Sequence, residues 1–300
     1  FLYYAFCQLF KGWQDPCHSI IVITDTEMYD FSVVIPTCNR DELLKRALDS
    51  VFNQQGVSFE IIVVDDGLPS RPGREELLSY LQFRNVSYVS TGGAMGGGYS
   101  RNIGIKLAKS DLVAFLDDDD LWLPQKLVHQ KKLMERSDIG ICYTAVQNCN
   151  ENGIVNRTIF HLPGSKNHFQ AIMRKNFIGT TSSVVVRTEI LREIGGFDPE
   201  LPALQDYDLY IRVLKHHRIA WTSEPLTCYF DCNRHDKVSA SRTRYIRAAR
   251  YLRDKYKNEK FYNAMLFYVW KVRFLKLFRS RLFFYETLHA WFHHLNVQDK

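Results

Sequence analysis

The 300-residue sequence has no CxxC pair, and its seven cysteines (Cys7, Cys17, Cys38, Cys142, Cys149, Cys228 and Cys232) are scattered and odd in number. This argues against a thiolate zinc cluster and a disulfide framework, and it fits a reducing compartment. There is no GxxxxGK[ST] loop, which disfavours a P-loop ATPase. No apolar run reaches the roughly 20 residues that a membrane-spanning helix needs. Residues 1–30 show no basic, apolar, small-residue pattern of a secretory signal. Repeats and low-complexity tracts are also missing. What is present is the composition of an ordinary globular protein, 46% apolar and 24% charged. Its length allows one large α/β domain with an appendage, or two modest domains. The charge is unevenly placed: residues 241–300 hold 14 Lys and Arg against 4 Asp and Glu, a net of +10, leaving −4 on residues 1–240. A basic tail on a mildly acidic body points to an anionic partner for the tail, such as a membrane surface.

From Phe31 onward, strand and helix patterns alternate. Residues 31–35 are a β-branched run closed by Pro36, and 41–54 carry helical apolar spacing. Strands predicted over 60–64, 86–89 and 112–116 then alternate with helices over 74–83, 99–109 and 124–136. Short apolar runs separated by helices imply a mostly parallel sheet covered on both faces. Ligands of such sheets bind at the carboxyl ends of the strands. Those ends carry Thr37, Asp65 with Asp66, and the four aspartates 117–120. The second half is less regular, with strand-like segments at 139–146, 154–160 and 181–187, a turn at 195–199 and a helix over 203–216. Residues 241–300 read as helical and aromatic. Residues 1–30 are a leader or an extra strand, with 19–24 the strand-like part.

Four segments carry candidate chemistry. Asp117, Asp118, Asp119 and Asp120 repel one another, which a divalent cation would relieve, and in an extended segment Asp117 and Asp119 point to the same side. Oxygen-only donors suit Mg2+ or Mn2+. An isolated acidic run is more often a solvated turn; placement after a buried strand favours the metal site. Asp65 and Asp66 end another strand, where an acid accepts from a base N–H or a ribose hydroxyl, or simply caps a turn. The glycine-rich stretch 91–98 opens a helix, where backbone can approach phosphate, and Arg101 adds a cation on the same rim. Asp206 stands in the first turn of a helix, where the dipole favours its anion and suits it to act as a general base. Taken alone, such an acid is more often a plain helix start.

Read in order, several segments resemble the family 2 glycosyltransferases. They are Val33-Val34-Ile35-Pro36-Thr37-Cys38-Asn39-Arg40, Ile61-Ile62-Val63-Val64-Asp65-Asp66-Gly67, Ser100-Arg101-Asn102, the aspartate run, Gly195-Gly196-Phe197-Asp198 and Gln205-Asp206-Tyr207-Asp208-Leu209. The resemblance runs roughly from Phe31 to Ser241. It implies the GT-A fold, an α/β architecture with a nucleotide-binding half at 31–120, an acceptor-binding half at 121–240 and a basic helical appendage at 241–300. It also implies an inverting, metal-dependent enzyme using a nucleotide-sugar donor, by family habit a UDP-sugar. The acceptor would be a hydroxyl of a glycan or lipid-linked molecule in polysaccharide or glycoconjugate synthesis. By position, Thr37, Arg40, Asp65, Arg101 and Asp117 would contact the nucleotide. Asp119 would be the direct ligand of Mn2+ or Mg2+, with Asp117 and His235 beside it, and Asp206 would be the base.

Two departures stand out. Gln205 replaces the acid that often precedes the base, and Ser100 replaces the usual alanine before Arg101. A sugar-nucleotide pyrophosphorylase is disfavoured because the first strand ends without a basic glycine-rich signature. A catalytically inactive nucleotide-sugar-binding relative is the rival from another class. The basic aromatic tail prompts a nucleic-acid reading, but no nucleic acid partner is expected. In that tail the uncharged run 261–270 precedes Lys271, Arg273, Lys276, Arg279 and Arg281, which spread around a helical wheel. An interfacial helix and a cap packed on the domain fit equally. A cytoplasmic location is expected, peripheral on the cytoplasmic membrane face in the first case.

Overall fold

The β-branched run that opens the alternating pattern is strand β2 (Phe31–Thr37), buried along its whole length. It pairs in parallel with β3 (Phe59–Asp65) and β5 (Leu112–Phe115), and β3 pairs in parallel with β4 (Val86–Ser90). A two-residue strand β1 (Ile20–Ile21) adds antiparallel to β4, inside the segment expected as an extra strand. In this computed structural model the described residues are 20–21, 28–82, 84–93, 95–150, 153–230 and 241–278. Because side chains alternate across a strand, β2 feeds two cores. Val33 and Ile35 pack with Leu44, Leu48 and Val51 of α1 (Asp41–Phe52) and Leu77 of α2 (Arg74–Gln82). Val34 faces the other way, with Ile103 and Ile105 of α3 (Gly97–Leu107).

The second half turns the sheet mixed. It comprises β6 (Leu121–Trp122), α4 (Lys126–Met134), β7 (Ile139–Cys149), β8 (Val155–Ile159), α5 (His168–Arg174), a 3-10 turn (Thr181–Ser183), β9 (Val184–Arg187), α6 (Thr188–Glu193), α7 (Gln205–Leu214) and β10 (Arg218–Phe230). The strand order is β1-β4-β3-β2-β5-β9-β7-β10-β6, with β8 paired to β7. Strand β9 lies antiparallel between β5 and β7, whereas β7 and β10 run parallel. Strand β10 escaped the sequence pattern because Pro225 interrupts it. The register shifts on both sides of that residue, as a proline that cannot donate to the ladder requires.

The appendage is helical, as expected, and its described part packs on the domain. Helices α8 (Arg242–Lys255) and α9 (Tyr262–Phe278) bury Ala248, Leu252, Met265 and Val269 in the same core as Ile172 and Tyr207. Of the two readings of the tail, the cap describes these residues; Arg279 and Arg281 lie outside them. Among the described residues no helix is long and apolar enough to cross a membrane.

Helix α3 sits close against β2 because residue 104 is glycine. A Cβ there would lie 2.3 Å from Val34 Cγ1. Gly104→Ala should therefore destabilise the fold by about 1–3 kcal/mol through overpacking, although glycine to alanine within a helix ordinarily stabilises it. Urea unfolding checks the sign, and an unchanged or raised midpoint would show that the contact is not tight.

Candidate functional site

The parallel block brings the carboxyl ends of β2, β3 and β5 to one rim. At the end of β3, Asp65 is fully buried. Its Oδ1 accepts the Gly67 N–H at 2.8 Å, and its Oδ2 accepts Arg71 Nη2 at 2.7 Å and the Tyr88 hydroxyl. Arg71 also grips Asp41, in the first turn of α1, at 2.6 Å. Asp66 accepts the Thr91 hydroxyl at 2.5 Å and the N–H groups of Met95 and Gly96 at 2.9 and 2.6 Å. It therefore folds the glycine-rich loop onto the end of β3. Two amides that the sequence seemed to offer a phosphate are engaged from within.

The aspartate run is a tight turn and not an extended segment, since Asp120 N–H donates to Asp117 O at 3.0 Å. Within this turn Asp118 and Asp120 are buried, and Asp117 and Asp119 are part-exposed. Asp118 accepts the Thr37 hydroxyl at 2.8 Å and pairs with Arg40 Nε at 3.2 Å. Burial pushes its carboxyl up to about 7, with Arg40 opposing and Asp119 adding to the rise. Asp120 accepts the Ser182 hydroxyl at 2.6 Å, and burial lifts it well above the carboxylate range. The repulsion expected to require a cation is thus relieved in part by burial and hydrogen bonding of two of the four acids.

Asp117 and Asp119 remain at the rim. Asp117 pairs with Arg101 Nη2 at 2.5 Å and accepts the Thr181 hydroxyl at 3.1 Å, and Asp119 pairs with Arg40 Nη1 at 3.3 Å. The turn thus carries two groups of contacts, Thr37–Asp118–Arg40–Asp119 and Arg101–Asp117–Thr181, while Asp65 is engaged separately by Gly67, Arg71 and Tyr88. His235 lies outside the described residues. Among the described residues no three His, Cys, Asp or Glu side chains gather as a metal cluster. The donor set at the rim nevertheless fits a hard divalent ion, which one or two carboxylates hold together with water and substrate phosphate.

The base candidate approaches from the other half. Asn102 clasps the backbone of Phe197, donating to its carbonyl and accepting its N–H, both at 2.7 Å. Gly196 has φ 69°, and a Cβ there would fall 2.3 Å from Asn102 Oδ1, so this turn demands glycine. The Phe197 ring lies 5.4 Å from the Arg101 guanidinium. Helix α7 then starts after Leu204, whose φ of 60° is left-handed, a conformation rare for leucine. Asn39, beside Arg40, also has a positive φ, 54°. Such strained backbone concentrates at functional sites.

Asp206 occupies the first turn of α7. Burial lifts its carboxyl above the ordinary range; the Tyr207 N–H and Arg101 pull it down and Asp117 pushes it up, leaving it raised. Two buried polar atoms nearby, Arg101 Nε and the Tyr210 hydroxyl, have no hydrogen-bond partner. Buried polar groups are nearly always paired, so this is a place where a polar ligand would complete the structure. Sequence reading missed Arg71, Tyr88, Thr181 and Ser182. None stands at the carboxyl end of a predicted strand or in a recognisable motif, and each is recruited by the three-dimensional arrangement.

The family model "Glycosyl transferase family 2" matches residues 32–195. An uncharacterized glycosyltransferase of Methanocaldococcus jannaschii, MJ1057, is 29% identical over 253 residues, covering 82% of this chain and 86% of its own. The UDP-Glc:alpha-D-GlcNAc-diphosphoundecaprenol beta-1,3-glucosyltransferase WfgD of Escherichia coli is 27% identical over 207 residues, covering 69% and 77%. Among solved structures, S. aureus TarS in complex with UDP-GlcNAc superposes with a TM-score of 0.61 at 18% identity, covering 79% of this chain and 70% of that one. The mannosyltransferase PcManGT from Pyrobaculum calidifontis, in complex with GDP-Man and Mn2+, gives 0.58 at 17% identity, covering 89% and 76%. The likeness to these structures gives the chain the GT-A fold, and a family match over more than half of its length makes it a member of glycosyl transferase family 2.

Proposed function

We propose that the protein transfers a sugar from a nucleoside-diphosphate sugar, with UDP the first nucleotide to test, to an acceptor hydroxyl with inversion at the anomeric carbon. The observation that carries this reading is Asp206, in the first turn of α7, its carboxyl raised by burial and set near the Arg101–Asp117 pair. Arg40 and Arg101 bring two fixed cations to the rim where a diphosphate would lie, and Thr37 steadies the acidic turn through Asp118. Asp206 takes the proton of the acceptor hydroxyl as its oxygen attacks the anomeric carbon, and one displacement inverts that centre. Asp119, with Asp117, would hold Mn2+ or Mg2+, which supplies charge neutralisation for the departing diphosphate when bound. The nucleotide sugars in the TarS and PcManGT complexes support the donor class. The named acceptor of WfgD supports a lipid-diphosphate-linked glycan and a role in polysaccharide synthesis. Such an acceptor would bring the enzyme to a membrane surface.

The test is a panel of UDP-, GDP- and dTDP-sugars with Mn2+, Mg2+ or EDTA, reading released nucleoside diphosphate. One donor should turn over in a metal-dependent way, and Asp119→Ala should abolish the metal-stimulated part. If the whole panel is silent and calorimetry shows no metal-assisted nucleotide binding, the transferase reading is wrong.

A further inference from the structure

The base-bearing helix α7 is held in place by residues of the tail. Asp208, two residues after Asp206, is fully buried, and both of its oxygens are engaged. Oδ2 accepts Arg212 Nε, one turn further along α7, at 2.8 Å. Oδ1 pairs with Lys255 Nζ at 2.7 Å and accepts the Tyr256 hydroxyl at 2.7 Å, both from the end of α8. The same Lys255 ammonium donates to Asp198 Oδ2 at 2.5 Å, an oxygen that also accepts the Tyr251 hydroxyl at 3.0 Å.

Asp198 belongs to the turn whose preceding residue, Phe197, is clasped by Asn102 and lies under Arg101. One cation therefore bridges two segments that converge on the reaction centre. On one side is the helix carrying Asp206, and on the other is the turn that backs Arg101. Lys255 has carboxylates in both directions, and its side chain is only a quarter exposed.

We infer that Lys255 of the tail, supported by Tyr256, is a positioning residue that sets the separation between Asp206 and Arg101. This rests on the transferase reading of the site. The basic tail then has a role inside the catalytic domain. Without the ammonium, Asp208 keeps Arg212 and Tyr256 and Asp198 keeps Tyr251, so α7 and the turn both stay attached to α8 but lose the ammonium that they share. A shift of about 1 Å in a reacting group lowers rates by up to about 100-fold.

The experiment uses full-length Lys255→Met and Lys255→Arg with two readouts. Hydrogen–deuterium exchange reports on positioning whether or not a donor has been found. Lys255→Met should exchange about 10-fold faster over 195–208 and be unchanged over β2 and β3, while Lys255→Arg should resemble wild type. Turnover of the donor found in the panel should fall about 10-fold or more in kcat for Lys255→Met, with UDP affinity by calorimetry unchanged and most of the rate restored in Lys255→Arg. Exchange that rises across the whole chain, or not at all, would overturn the inference, as would a parallel loss of UDP affinity. A wild-type enzyme inert on every donor would count against the transferase reading alone, and the exchange result would still decide the role of Lys255.

Discussion

Asp206→Asn should lower turnover by about 100-fold or more while leaving the fold and nucleotide affinity intact, because the substitution preserves shape and removes only the proton acceptor. The expectation comes from the surroundings of the carboxyl. Burial raises it, Arg101 lowers it and Asp117 raises it, with a net position above the usual carboxylate range. A base must be deprotonated to work, so kcat should climb with pH through this raised value and fall earlier on acidification than an ordinary aspartate would allow. The acid limb should also respond to its neighbour: Arg101→Gln removes a cation that favours the anion, and should move the limb to higher pH. A kcat–pH profile of each variant checks both statements. Near-normal turnover by folded Asp206→Asn would remove the residue from the mechanism.

How much of this was legible in the sequence follows from the kind of signal each part gives. The parallel block was legible because strands buried on both faces, such as β2 and β3, are continuous apolar runs. The residues at their carboxyl ends were legible for the same reason, since the architecture fixes where those ends go. The geometry of the aspartate run was not legible: an extended segment was expected, whereas a tight turn buries Asp118 and Asp120. The partners that decide what each aspartate does were not legible. Asp65 is occupied by Arg71 and Tyr88, Asp120 by Ser182, and Asp208 by Lys255 and Tyr256. Apart from Asp65–Arg71, such pairings join positions far apart in the chain, and nothing local distinguishes Arg71 or Lys255 from a surface cation. The tail shows the same limit. Its composition advertises charge and aromatic rings, whereas its described structure uses Ala248, Leu252, Met265 and Val269 to pack and Lys255 to bridge.

The second large effect lies beneath the acidic turn, and its expected sign is a gain. Lys126, the first residue of α4, is completely buried, and no carboxylate pairs with it among the described residues. Its ammonium donates to Gln130 Oε1 at 2.6 Å and stands 3.9 Å from the centre of the Trp122 ring. Burial pushes it down to about 7, with the nearby Cys142 opposing. In the unfolded chain the same lysine holds its proton up to about 10.4. Between those two values the unfolded state binds more protons, so stability should rise with pH across that window. Below it the full penalty of a buried charge applies, at most about 5 kcal/mol at about 1.4 kcal/mol per unit. The Trp122 face returns up to about 2 kcal/mol of that, and removing the amine leaves Gln130 Oε1 without its donor, at about 1 kcal/mol. Lys126→Met should therefore stabilise the protein by about 2 kcal/mol at pH 7, and the advantage should shrink toward pH 10. Urea unfolding of both proteins at pH 7 and pH 9.5 measures it. A variant less stable by the same amount at both pH values would mean that the lysine is a satisfied core donor and not a strained cation. The location gives the result a functional edge. Trp122 donates its indole N–H to Ser182 O at 2.8 Å, and Ser182 in turn bonds Asp120 and the Asp117 N–H.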